Sequence, residues 1–302
     1  MNEPCLLTWR IKGLVIILII YVDDIILAGN CLMKLEEVKR HFSMVFKIKD
    51  LGEPVNYLGM KINRDREAHI IRLNQTEYID KVLKRFKMLE SKPKDTPMVT
   101  RQAKKKRLEA SKDNSSTRRT KAPYRAAIGS LLYLAGATRP DLAFAVNKHS
   151  RSQMNPTENY WENVSRILRY LKGTKHLCLT YRGKTNGMEA ISDASFIDCE
   201  ESRSTEGYII KLYGDTVAWR SHKQTTVAKS TCEAEYIAMN DACQELISLD
   251  KAIRDMTGKT LYPINIRTNN KSAKDCIKME GNHKLKSFDY RVIDEIKTEI
   301  RK

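Results

Sequence analysis

Residues Leu14 to Val22 form the longest uninterrupted apolar run in the chain, nine residues of Leu, Val, Ile and Tyr, and Asp23-Asp24 ends it. A helix that crosses a bilayer needs roughly 18 to 20 such residues, so this run is too short to span one. It also has the length of a secretory leader core, but two carboxylates follow it where a small-residue cleavage site would stand. Its β-branched content and flanking turn signals predict a buried strand. Ile25 to Leu27 resumes the apolar character and Ala28-Gly29-Asn30 closes it, so the pattern predicts a hairpin with Asp23-Asp24 at its tip.

The same reading extends along the chain. Leu35, Val38, Phe42 and Val45 recur at helical spacing. Val55 to Ile62 and His69 to Leu73 predict a second hairpin across Asn63 to Glu67. Asn74 with Glu77 reads as a capping box, opening a helix that carries Ile79, Val82, Leu83 and Phe86. Tyr124, Ile128, Leu131 and Leu132 give the stripe of another helix; Pro140 and Pro156 sit where helices open, and Gly173 where one stops. Glu189 to Ser192 predicts a strand, and Gly207 to Tyr213 with Thr216 to Arg220 a hairpin about Gly214-Asp215. Ser230 and Glu233 cap a long helix to about Met256, followed by a strand at Ile264 to Thr268 and a short helix at Ser272 to Met279.

Charge divides the chain. Residues 1–185 hold 36 Lys/Arg against 18 Asp/Glu, whereas residues 186–302 hold 18 against 19. Lys84 to Lys121 alone carries 14 basic and 4 acidic side chains. Such a stretch is either a solvated surface or the footprint of a polyanion, nucleic acid first. Candidate phosphate contacts are Lys104, Lys105, Lys106 and Arg107, with Arg166, Arg169 and Lys172 extending the track. Seven scattered cysteines without a C-x-x-C pair argue for reduced thiols in an intracellular protein. Ser221-His222 and the six scattered histidines show neither a triad nor zinc spacing.

Three acidic features bear on chemistry. Two carboxylates on one tight turn can hold a divalent metal, although Asp is also a favoured turn residue. Asp193, in Ile191-Ser192-Asp193-Ala194-Ser195, is at a strand end. Glu235 shares a helix face with Met239, Ala242, Leu246, Leu249 and Ile253, while Glu233 shares the opposite face with Ile237, Asn240, Gln244 and Ser248. Glu233 is therefore expected to cap toward solvent. Glu235 either enters the core, where a carboxylate is costly unless paired, protonated or metal-bound, or lies in a frayed first turn open to water.

Tyr21-Val22-Asp23-Asp24, followed by Ile-Ile-Leu-Ala-Gly, resembles the metal-binding motif of reverse transcriptases of copia-type LTR retrotransposons. Asp50-Leu51-Gly52-Glu53, Tyr57-Leu58-Gly59-Met60, Gln75 to Met88, Thr96-Pro97-Met98 and Tyr124 to Asp141 continue the resemblance in the family's order. Arg203-Ser204-Thr205, Gly207-Tyr208, Trp219, Lys223-Gln224 and Ser230 to Tyr236 are similar to the ribonuclease H domain of the same polyproteins.

The resemblance implies an α+β, mixed α/β chain. Residues 1–100 would be the end of the polymerase palm and a thumb-like region, 101–122 a basic linker, 123–185 a helical connection, and 186–302 a ribonuclease H-like mixed sheet with helices. It implies Asp23 and Asp24 as polymerase ligands, and Asp193, Glu235, position 269 and Asp289 as nuclease residues, with two Mg²⁺ at each site. Position 269 is Asn where the family has Asp. Nuclease function is therefore expected to be impaired. With 22 residues before Asp23, the chain alone is not expected to polymerise DNA, for want of upstream parts of the same polyprotein. Expected partners are an RNA–DNA hybrid and single-stranded RNA or DNA, with no membrane, in the cytoplasm, a virus-like particle or the nucleus. The alternative is a catalytically dead basic protein that only binds nucleic acid.

Overall fold

The computed structural model describes residues 4–99, 118–262, 264–270 and 273. The apolar run is the middle strand of a three-stranded antiparallel sheet, β1 (Leu6–Ile11), β2 (Leu14–Tyr21) and β3 (Asp24–Gly29). The first strand was not foreseen, because Thr8 and Arg10 break up its apolar character. Lys12 and Gly13 both have positive φ and make the two-residue turn that suits the strand twist. At the next turn the tip is Val22-Asp23; Asp24 already pairs with Tyr21 as the first residue of β3. Helix α1 (Leu32–Val45) follows, and none of its residues is buried.

A second unit is built on a sheet ordered β4 (Asn56–Tyr57), β5 (Met60–Asp65), β6 (Ile70–Asn74) and β7 (Leu179–Tyr181). The stretch expected as one strand from Val55 folds back at Leu58-Gly59, both at positive φ. A side chain at position 59 would place its Cβ 2.8 Å from the Tyr133 hydroxyl, which donates to the Leu58 carbonyl. Helix α2 (Thr76–Arg85) starts without the expected box: Asn74 Oδ1 accepts from the Thr76 N–H at 3.3 Å, and Gln75 occupies the cap position.

Helices α3 (Tyr124–Ala137), α4 (Ala143–Ser150) and α5 (Glu158–Gly173) pack on α2 around one core that includes Ile79, Leu83, Ile128, Leu131, Leu168 and Leu171. Leu132, assigned by sequence to that stripe, instead points outward. The packing thus joins the second half of the 1–100 region to the 123–185 region, and β7 returns to the edge of β6.

The third unit is a four-stranded sheet ordered β10 (Asp215–Lys223), β9 (Thr205–Leu212), β8 (Met188–Ser195) and β11 (Asn265–Arg267). The first three strands are antiparallel, and β11 runs parallel to β8. The β9–β10 turn is Tyr213-Gly214, one residue earlier than expected, because these two residues supply the paired positive φ. Helix α6 (Thr231–Thr257) lies on the sheet, with Ala242, Leu246 and Ile253 against Met188, Ala190, Tyr208 and Ile210. It ends at Gly258, where an added Cβ would lie 1.7 Å from an Arg10 guanidinium nitrogen, so this end abuts the first sheet. Among the described residues no helix is long and apolar enough to cross a membrane. The expected Ser272 to Met279 helix, Asp289 and the Lys104, Lys105, Lys106 and Arg107 cluster lie outside the described residues, as does most of the 101–122 stretch.

Candidate functional site

The fold brings three of the sequence candidates together where β8, β11 and the start of α6 meet. In β8 the buried positions 190, 192 and 194 alternate with exposed ones, and Asp193 is exposed. Ser230 accepts from the Glu233 N–H at 3.1 Å, and the Glu233 carboxylate accepts from the Lys229 N–H at 2.6 Å. Glu233 is thereby buried rather than turned to solvent. This closed cap fixes the first turn of α6, so Glu235 does not fray to water; it is 3% exposed.

Glu235 is held by the Ala194 N–H and, at 3.5 Å, by the Thr268 hydroxyl. Burial, and then the negative charge of Asp193, push its carboxyl above the ordinary carboxylate range. Asn269, exposed at the end of β11, donates its side-chain N–H to Asp193 Oδ1 at 3.1 Å. One buried and one exposed carboxylate therefore share a corner with a neutral amide, and the exposed groups open it to a substrate. Thr268 and the Ala194 amide were missed by sequence reasoning. The alternation that exposes Asn269 and buries Thr268 was the available signal.

Asp23 and Asp24 sit apart from that corner, exposed on the β2–β3 turn. Val22 takes φ 52° there, a strained value for a β-branched residue. The turn holds two adjacent carboxylates on a rigid hairpin. Among the described residues no third carboxylate, His or Cys joins them within ligand-sharing distance. Behind them, Tyr57 is pushed above its ordinary value by burial and then by the charge of Asp24.

The basic residues of α5 have partners that the sequence did not suggest. Arg166 donates to the Thr96 carbonyl at 3.1 Å and to its hydroxyl at 2.8 Å. Arg169 donates to the Lys92 carbonyl at 2.6 Å, and Lys172 to the Ser91 carbonyl at 2.9 Å. The three side chains share one helix face and latch the segment 91–96 onto it.

Residues 8–100 match the family described as reverse transcriptase (RNA-dependent DNA polymerase). The chain is 37% identical over 257 residues to a retrovirus-related Pol polyprotein from transposon TNT 1-94 of Nicotiana tabacum, covering 84% of this chain and 19% of the relative. It is 34% identical to an uncharacterized mitochondrial protein of Arabidopsis thaliana, covering 76% of this chain and 92% of the relative. It is also similar to a putative transposon Ty5-1 protein of Saccharomyces cerevisiae, at 30% identity over 75% of this chain and 72% of that protein. The chain spans less than a fifth of the plant transposon polyproteins it matches.

Proposed function

This chain belongs to the copia-type retrotransposon Pol family, and from that premise we propose that it joins a reverse transcriptase segment to a ribonuclease H-like domain of reduced nuclease activity. The observation that carries the reading is the corner of Asp193, Glu235 and Asn269 on a mixed sheet with one parallel strand. In this reading the polymerase segment contributes Asp23-Asp24, and the basic residues of the 84–121 stretch with those of α5 receive an RNA–DNA hybrid or single strands through their phosphates. The latched arginines keep their charge while holding 91–96, so they would position that segment as well as face the strand.

Mg²⁺ is the cofactor this family implies, and the corner fits one ion better than two. Two carboxylates near enough for one to raise the proton affinity of the other are relieved by a cation between them. When bound, the ion would supply positive charge against the phosphate oxygens at which the strand is cut. Asp193 and Glu235 would hold it, with the Thr268 hydroxyl and the Ala194 amide keeping the Glu235 carboxylate beside Asp193. Asn269 offers only an amide, whose N–H is already turned toward Asp193. A missing anionic ligand at such a site costs several kcal/mol of transition-state stabilisation, or about a thousandfold in rate.

The test is Mg²⁺-dependent cleavage of an RNA–DNA hybrid by the native chain and by Asn269→Asp. The expected result is slow cleavage that rises by about a thousandfold on restoring the carboxylate. Brisk native cleavage with no gain would overturn the impairment. Inactivity of both forms, with hybrid binding intact, would favour the reading as a nucleic-acid-binding protein without catalysis.

A further inference from the structure

His222 has no zinc-like neighbours in the sequence, yet the fold places it between two carboxylates. Glu206 and His222 are directly opposite each other on β9 and β10, and Asp241 reaches the pair from the third turn of α6. The His222 Nε2 atom lies 2.7 Å from Glu206 Oε1 and 3.2 Å from Asp241 Oδ2. All three of these atoms fall within 4.8 Å of one another. A ring nitrogen carries at most one proton, and one N–H cannot point well at two oxygens. Two carboxylate oxygens therefore converge on a point where a single proton is poorly suited to satisfy both.

We propose that Glu206, His222 and Asp241 form a binding site for a divalent cation of the zinc class, separate from the Asp193 corner and independent of the function proposed above. One imidazole nitrogen with two carboxylate oxygens is a donor set for zinc, cobalt or nickel. Magnesium instead favours six oxygens and retained water. With ligand bonds of about 2.0 to 2.2 Å, tetrahedral ligand atoms stand roughly 3.4 Å apart, so the Glu206 spacing needs to open by about 0.7 Å and the Asp241 spacing by about 0.2 Å. Glu206 is 4% exposed, and its second oxygen accepts from Gln224 Nε2 at 2.7 Å. The same Gln224 nitrogen is anchored at 2.8 Å to the Ala234 carbonyl. Outer partners of this kind orient a metal-binding carboxylate. The His222 and Asp241 side chains stay 18% and 29% exposed, which leaves an entry path and room for a fourth ligand. Arg220, 3.8 Å from Asp241, opposes a cation, but its side chain is 56% exposed and free to swing outward. A bound ion would pin α6 to both strands of the β9–β10 hairpin.

Titration of the full chain with Zn²⁺ against a chromophoric chelator, and with Co²⁺ by visible absorption, tests the site. One equivalent of each ion should bind, and the cobalt spectrum should be of the nitrogen–oxygen type without a thiolate charge-transfer band. Both His222→Gln and Asp241→Asn should weaken zinc binding tenfold or more, and Gln224→Leu by about 10- to 100-fold. About a hundredfold excess of Mg²⁺ should not displace the zinc. Circular dichroism checks folding; if His222→Gln misfolds, Asp241→Asn decides, since it changes a half-buried helix position. No binding, equal binding by native chain and variants, or a thiolate band would each overturn the proposal. The first outcome leaves the trio as an ion-pair network only, the second places the metal elsewhere in the chain, and the third assigns it to cysteines.

Discussion

Helices α1 and α6 each accompany a small sheet, yet α6 buries eleven of its residues and α1 none. Both sequences carry apolar residues at helical spacing. What differs is the surface opposite. Beneath α6, the two long strands β8 and β9 offer Met188, Ala190, Tyr208 and Ile210 as a continuous floor. Helix α1 meets β3 and Trp9 at one rim, and leaves Leu32 and Met33 about 80% exposed. Periodicity is enough to specify a helix. Burial needs a partner surface of matching size, and stability resides where that surface exists.

Truncating a core side chain should separate the two regions most clearly. Leu246→Ala removes a buried anchor of α6 and should cost about 2 to 5 kcal/mol. The exposed Met33→Ala should change stability by no more than about 0.5 kcal/mol. Denaturant unfolding of both variants makes the comparison, and equal losses would break it.

The next largest effect depends on pH. In the metal-free chain His222 is pushed up from 6.5 to about 9, first by its bond to Asp241 and then by Glu206. The folded state then holds the proton more tightly than the unfolded state. This contribution is full below pH 6.5 and lost as pH rises to about 9. It should amount to about 3 kcal/mol. Thermal melts across that window should show the decline, and His222→Gln should flatten it.

A smaller effect tests the latch in the middle of the chain. Arg169→Ala removes a charge-assisted bond to a backbone carbonyl and should cost about 1 kcal/mol. Hydrogen exchange should quicken around residues 91–96. If the same side chain also meets a phosphate, the slope of log affinity against log salt should fall by about 1. Replacing Lys104, Lys105, Lys106 and Arg107 should lower that slope by more.

The smallest pair of changes returns to the two helices. Ser230→Ala should destabilise α6 by about 1 kcal/mol, since it deletes the bond to the Glu233 N–H. At the start of α1, Cys31 has extended backbone geometry but makes no cap bond. Cys31→Asp should therefore add about 0.5 to 1 kcal/mol, read as a rise in helix content.

The sequence made most element types legible, and α6 nearly to its ends, because Ser230 and the apolar stripe are local signals. Turn positions were less legible. Gly214 was read as the first turn residue, although the pair needing positive φ is Tyr213-Gly214. Asp193, Glu235 and position 269 were grouped only through the resemblance to the ribonuclease H family, since nothing in their spacing joins them. Thr268 was passed over although the alternation that exposes Asn269 marks it as inward-facing. The α5 latch was invisible because its acceptors are backbone carbonyls, which carry no residue identity. Likewise, Glu206, His222 and Asp241 come from three elements, and only the β9–β10 register and the seat of α6 unite them.

The pairing of β6 with β7 has a consequence for synthesis. Ile71 and Tyr181 are register partners 110 positions apart. A ribosome adding about 5 to 20 residues per second leaves β6 waiting roughly 5 to 20 seconds for its neighbour. During that time one side of the strand presents bare N–H and C=O groups to other nascent chains. Ile71 interrupts that edge with apolar surface, while Arg72 gives it a positive charge. The repulsion between copies at Arg72 is thus a built-in guard during the interval before the sheet can close.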